Sequence, residues 1–259
     1  MGEIPRIVGV VHLPALPGSA RGGSAATFAA MLEGAKRDAE AWATGGADAL
    51  IIENFGDAPF VKDTVAPHVI AAMTVATLAV REVSGLPVGV NVLRNDVLGA
   101  VSVAALAGGS FVRANVYVGA ALTDQGIIEG RASEVQDLIR RLGAPVAVWA
   151  DVDVKHAAPI AVRPLGDLAE DAVERGLAGA VIVTGRATGQ PASLDDLRAV
   201  KSATPNTPLY VGSGTTAETL PSLLTVADGV IVGTWAKENG ALFKPVDVNR
   251  VRALVAAAR

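Results

Sequence analysis

The sequence predicts an α/β protein folded as a single (β/α)8 TIM barrel over residues 1–259. Three observations carry that expectation. Short β-branched runs recur as "RIVGVVH", "ADALIIE", "LPVGVNVL", "SFVRANVYV", "APVAVWADVD", "AGAVIVT", "TPLYVG" and "DGVIVG". Longer stretches at helical spacing lie between them, for example 25–44, 96–107, 132–142 and 165–175. The chain length matches a barrel, which commonly uses about 250 residues as one unit.

Continuous apolar runs bounded by Gly, Pro and Asp read as strands buried on both faces, and parallel neighbours need a crossover, usually a helix. The first run ends at His12 before a stiff "LPALPG" turn. The second follows "GGAD" and ends at Glu53 and Asn54. Pro87, Pro145 and Pro208 open the third, fifth and seventh, where no ladder donor is lost. The stretch 97–123 is uncharged except at Arg113 and is interrupted by Gly99, Gly108, Gly109 and Ser110; it reads as a buried helix followed by a buried strand. "RGLAGA" and "ADG" precede the sixth and eighth runs, where glycine, as in "GGAD", can end a helix at positive φ. Ser193 with Asp196, and Thr215 with Glu218, have capping-box spacing. A doubly wound open sheet is the alternative, but the first turn, "HLPALPGSARGG", lacks the dinucleotide-binding G-x-G-x-x-G.

Composition narrows the function. With no cysteine, a disulfide scaffold and thiolate chemistry are excluded, and a cytoplasmic setting is expected. A net charge of -4 with mixed signs offers no nucleic-acid footprint. The start does not read as a signal peptide, and no run reads as a membrane anchor. At 51% apolar residues, the chain has room for an interface between copies, and a homo-oligomer is expected.

"YVGSGTT", residues 210–216, ends the seventh strand in glycines, and "VIVGTW" ends the eighth. Loops after strands seven and eight of such barrels often hold phosphate. Glycines admit an anion close to the backbone, and amides at a helix start point toward it. Gly212, Ser213, Gly214, Gly233 and Thr234 are therefore the expected phosphate-binding residues, with Lys237 as an added cation. Ordinary β/α turn glycines are the plainer reading.

Catalytic groups of these barrels sit at the C-terminal strand ends. There the sequence places His12, Glu53, Asn54, Asn91, Arg94, Asn95, Arg113, Asn115, Asp151, Asp153, Lys155, His156, Thr184, Arg186 and Thr188. Side chains alternate along a strand, so Asp151, Asp153 and Lys155 share a side with Trp149, toward the axis. Glu53, Asp151, Asp153 and Lys155 are the expected acid/base groups, because neighbouring carboxylates and a lysine can divide proton transfer. His12, Asn54, Asn91, Arg113, Asn115 and Thr184 are expected to bind substrate. No cofactor is required, although the carboxylates could hold Mg²⁺. A self-neutralising ring of salt bridges is the structural alternative. Trp42 reads as packing, His68 as a helix residue, and 18–24 as a loose loop or a lid.

"VGVVHLPALPGS", "ADALIIENFGDAPF" and "VTGRATGQPAS" resemble the BtpA/SgcQ family, with likeness over nearly the whole chain. The resemblance implies a TIM-like barrel related to ribulose-phosphate-binding barrels. It also implies either a photosystem I assembly or stability role, as for cyanobacterial members, or a nucleosidase-like or sugar-related activity. It marks the segments containing His12, Glu53, Asn54, Asp57, Thr184 and Gly189 without assigning them chemistry. Two readings follow: an enzyme for a phosphorylated sugar, nucleoside or nucleotide, or a non-catalytic assembly factor.

Overall fold

The computed structural model describes residues 4–153, 157–185 and 192–259, with the Asp153 side chain outside that set. In chain order its strands are β1 (Ile7–His12), β2 (Ala49–Glu53), β3 (Val88–Asn91), β4 (Phe111–Ala114), β5 (Ala120–Thr123), β6 (Gly126–Glu129), β7 (Ala147–Asp153), β8 (Ala157–Pro159), β9 (Ala180–Thr184), β10 (Leu209–Gly212) and β11 (Gly229–Val232). Eight of them close into a barrel in the order β1-β11-β10-β9-β7-β4-β3-β2, and every barrel pairing is parallel. The crossovers carry helices α1 (Phe28–Gly45), α2 (Pro67–Ser84), α3 (Val97–Ala107), α4 (Ala132–Leu142), α5 (Leu165–Glu170), α6 (Leu194–Ala203) and α7 (Leu220–Leu223), and α8 (Val248–Ala257) follows β11. The (β/α)8 expectation holds.

The two strand faces divide the apolar residues as the alternation requires. Val8, Val10, Ala49, Ile51, Phe111, Trp149, Ala180, Ile182, Tyr210 and Ile231 fill the barrel interior. Trp149 stacks between Phe111, at 3.8 Å and 11°, and Tyr210, at 4.2 Å and 19°. This aromatic layer closes the barrel beneath the strand ends. The other face, including Val11, Leu50, Ile52, Val90 and Val211, packs on the helices. Trp42 of α1 lies against Gly9 so closely that a Cβ there would meet its ring at 2.3 Å. Its Nε1 donates to the Val10 carbonyl at 3.2 Å.

Several local expectations are corrected. The left-handed residue of "RGLAGA" is Leu177, at φ 59, while Gly176 is right-handed at φ -87. Gly176 is glycine because Tyr117 packs on it: a Cβ would meet the Tyr117 ring at 2.7 Å. Gly229 lies inside β11 and caps no helix, whereas Gly46, at φ 96, caps α1 as expected. Ser193 caps α6 through Asp196 N at 3.0 Å. Thr215 and Glu218 form no such box; Thr216 and Thr219 exchange backbone-to-hydroxyl bonds of 3.0 and 3.2 Å before α7. The stretch 97–123 yields the buried helix α3 and strand β4, but 120–123 leaves the barrel. It becomes β5, the centre of an antiparallel sheet with β6 and β8, and Leu122 is 53% exposed.

Candidate functional site

Continuing the interior alternation upward gives the last inward residue of each strand. These are His12, Glu53, Asn91, Arg113, Asp151, Thr184 and Gly212, with Gly233 just past β11. Below them lies the aromatic layer; around them, buried polar groups interlock.

Arg113 is the hub. Its Nε and Nη2 grip Asp151 Oδ2 and Oδ1, each at 3.0 Å. Its Nη1 reaches Glu53 Oε1 at 3.4 Å. The side chains are 14% exposed for Arg113, 7% for Glu53 and 0% for Asp151, so the ion pairs are shielded from water. Burial works against the Arg113 charge, but the Asp151 and Glu53 charges and their hydrogen bonds outweigh it and hold the guanidinium above its ordinary range. Asn115 Nδ2 adds a 2.8 Å bond to Asp151 Oδ2, so both oxygens of Asp151 are engaged. Asn91 Nδ2 donates to Glu53 Oε1 at 3.0 Å. Both neighbours of Glu53 therefore address Oε1, and Oε2 is the oxygen neither takes.

His12 sits beside this cluster, paired in register with Glu53. Phe55 meets its ring edge-on at 5.0 Å. Burial, aided by the Lys237 charge, pushes its pKa down to about 3, so the imidazole is neutral at physiological pH. Arg94 is 8% exposed. Burial lowers its pKa against the pull of Asp151 and Asp124, which places a second guanidinium in the field of the cluster.

The asparagines divide into two kinds. Asn91 and Asn115 orient the carboxylates. Asn54 accepts from Leu93 N at 2.7 Å and donates to Asp57 at 3.1 Å; Asn95 clasps Val116 through its N–H at 2.8 Å and its carbonyl at 2.9 Å. These two hold the loops that frame the mouth. Asp57, which receives Leu16 N at 2.7 Å, ties the "LPALPG" turn to β2. The spacing Asn54-x-x-Asp57 is the signal that could have shown this frame.

The glycine turns have a steric reason of their own. A Cβ on Gly212 would lie 2.8 Å from Ile182 and Thr184 and 3.5 Å from Arg113 Nη2; on Gly233 it would lie 2.4 Å from His12 Cε1. Glycine lets the ring close over these two strands. Ser213 and Gly214 are both left-handed, at φ 79 and 75. The Ser213 amide bonds Ile231 O at 3.4 Å, while among the described residues the Gly214 and Thr215 amides take no backbone acceptor. Thr234 begins a 3-10 turn after Gly233. Lys237, expected beside an anion here, is elsewhere occupied. It is 2% exposed, and its Nζ binds Asp38 at 2.9 Å and the Lys244 carbonyl at 3.1 Å.

Lys155, His156, Arg186, Thr188 and Gly189 lie outside the described residues, as does the Asp153 side chain. The pairing of β7 with β9 shifts register between Asp151 and Asp153. That irregularity removes the simple alternation that placed Asp153 with Asp151. Among the described residues no cluster of three or more His, Cys, Asp or Glu could hold a metal ion, and no helix is long and apolar enough to cross a membrane.

The fold and this ring can be set beside known proteins. The model of the BtpA family matches residues 4–259. The chain belongs to the BtpA family. An uncharacterized Pyrococcus furiosus protein is 47% identical over 96% of this chain and 93% of its own length. The photosystem I biogenesis protein BtpA of Synechocystis is 43% identical over 97% of this chain and 87% of its own. Among solved structures, thiamine phosphate pyrophosphorylase from Pyrococcus furiosus superposes with a TM-score of 0.60 at 13% identity, covering 98% of this chain and 95% of that one. At that identity the likeness concerns the barrel alone.

Proposed function

We propose that this BtpA-family barrel is an enzyme that binds a phosphorylated small molecule (a sugar phosphate, nucleoside or nucleotide) over its C-terminal strand ends. One observation carries the reading: a shielded Glu53–Arg113–Asp151 cluster stands at the strand ends, on the same rim as the glycine turns after β10 and β11, with Arg113 Nη2 3.5 Å from where a Gly212 Cβ would be. Burying three charges is costly, and a barrel needs no such group to pack.

In this reading the phosphate lies against the Gly212–Ser213–Gly214 and Gly233–Thr234 turns, where backbone amides supply the donors. The thiamine phosphate enzyme that shares the fold has a phosphate compound in its name, the class of ligand proposed here. Asp151 is a positioning residue, since its oxygens are taken by Arg113 and Asn115. Glu53 gives and takes the proton through Oε2. Neutral His12 offers a second uncharged donor or acceptor, and Thr184 and Asn91 complete the polar wall. Asp153 and Lys155, at and just past the end of β7, are proposed as further acid/base groups. Isomerisation, aldol-type cleavage and N-glycosidic cleavage all require such a proton relay. The protein is proposed to work in the cytoplasm, with copies associating through apolar surface such as Val75, Leu78 and Leu106 of α2 and α3.

A turnover screen of sugar phosphates, nucleosides and nucleotides tests this. With the substrate so found, Glu53→Gln should lower kcat by at least about a hundredfold while leaving the fold intact. Unchanged turnover in that variant would remove Glu53 from the mechanism. The second reading, an assembly factor, rests on the name of the Synechocystis relative. Reproducible capture of a membrane protein complex, with no compound bound or turned over in the screen, would favour it.

A further inference from the structure

Buried polar atoms in folded proteins nearly always have partners, so each exception needs a cause. Among the described residues four buried side-chain atoms have none: His12 Nδ1, Asn115 Oδ1, Thr215 Oγ1 and Gln125 Oε1. Gln125 belongs to the β5–β6 hairpin. The other three belong to the mouth, on β1, just past β4, and in the turn after β10. Asn115 and Thr215 are only 5% and 3% exposed.

Asn115 is the most informative of the three. Its Nδ2 is held on Asp151 at 2.8 Å. Turning the amide over would set its oxygen against the carboxylate, so the orphaned atom is an acceptor in a fixed place. What it lacks is a donor. An acceptor-only group, such as a second phosphate or a carboxylate, would meet both this oxygen and the Asp151 charge. From Asn115 the contacts run through Asp151 to Arg113, whose Nη2 stands 3.5 Å from where a Gly212 Cβ would be. The chain of contacts thus joins the orphaned acceptor at one end to the glycine turn at the other.

We infer that Asn115 Oδ1 accepts a hydrogen bond from a hydroxyl of the ligand, so that the compound is a sugar or polyol phosphate with a free hydroxyl away from its phosphate. Thr215 Oγ1 then bonds the phosphate end, and His12 Nδ1 bonds a group between. This rests on the phosphate reading above and narrows it.

Titration calorimetry with inorganic phosphate, glycerol 3-phosphate, ribose 5-phosphate and 2-deoxyribose 5-phosphate separates the two. The expected result is that a hydroxylated ester binds the wild-type protein more tightly than phosphate does. Asn115→Leu should erase about tenfold of that advantage, read as the ratio of ester to phosphate affinity in the same variant. Thr215→Val should weaken all four ligands while leaving the thermal midpoint without ligand equal or higher, because no bond is lost. Should Asn115→Leu not fold, Asn115→Ala repeats the measurement. Esters that bind no better than phosphate, or an advantage that survives at Asn115, overturn this inference and leave the phosphate site standing. Absence of binding by phosphate and all three esters overturns both.

Discussion

Gly233→Ala probes the ring where it is tightest. The added Cβ would lie 2.4 Å from His12 Cε1 and 3.1 Å from Nε2. Ordinary contact begins at 3.4 Å, so the imidazole must withdraw by about 1 Å. Overfilling a packed site of this kind costs about 1–3 kcal/mol, and moving a group in the site by ~1 Å can cost about a hundredfold in rate. Gly9→Ala is the control. Its Cβ would strike Trp42 at 2.3 Å, a comparable collision, but on the helix-facing side of β1. Urea unfolding gives the stability of both variants, and turnover or titration with the tightest compound from the screen gives their function. Both should lose stability, and only Gly233→Ala should lose affinity or rate beyond its loss of folded protein. If Gly233→Ala works as the wild type does, His12 and its turn have no part in the site.

Among the described residues, Lys237→Met leaves Asp38 buried with the Val246 amide at 2.9 Å as its remaining hydrogen-bond donor. Breaking a buried pair from one side costs about 3–5 kcal/mol, so urea unfolding should show a loss of that order, with Lys237→Met/Asp38→Leu recovering much of it; a single variant within about 0.5 kcal/mol of wild type would refute this. The neutral His12 also predicts a pH dependence. Below about 6.5 the unfolded chain takes a proton that the folded imidazole refuses until about 3. Protons therefore favour unfolding across that window, and His12 should contribute a rise in stability of up to ~1.4 kcal/mol per pH unit as pH increases through it. Unfolding measured between those limits should lose that slope in His12→Gln, and an unchanged slope would contradict the burial of a neutral ring.

The barrel was legible because each strand is an apolar run stopped by Gly, Pro or a polar residue, a local signal. The ring was legible too, since alternation carries a strand's inward side from Trp149 to Asp151 or from Phe111 to Arg113. What alternation could not show was how the charges pair. That Arg113 and Asn115 occupy both oxygens of Asp151 is a contact across 38 and 36 positions of sequence, which alternation along one strand does not carry. Lys237, four residues after Gly233, resembles an anion ligand, yet its partner Asp38 is 199 positions away. "SFVRANVYV" reads as one long strand; the Asn95 clasp on Val116 and the β5 pairing beyond it are tertiary effects that redirect the chain. At "RGLAGA" packing against Tyr117 overrode the usual place for glycine.

In the proposed function the strand-end ring of this barrel holds a phosphorylated ligand beside Glu53. A crystal structure grown with the tightest-binding phosphate ester tests it most directly. The phosphate should lie within hydrogen-bond distance of the Gly214 or Thr234 amides, with the rest of the compound toward Glu53 Oε2 and Asn115. Density for the ester at any other place on the molecule, with those turns covered by side chains, would contradict it.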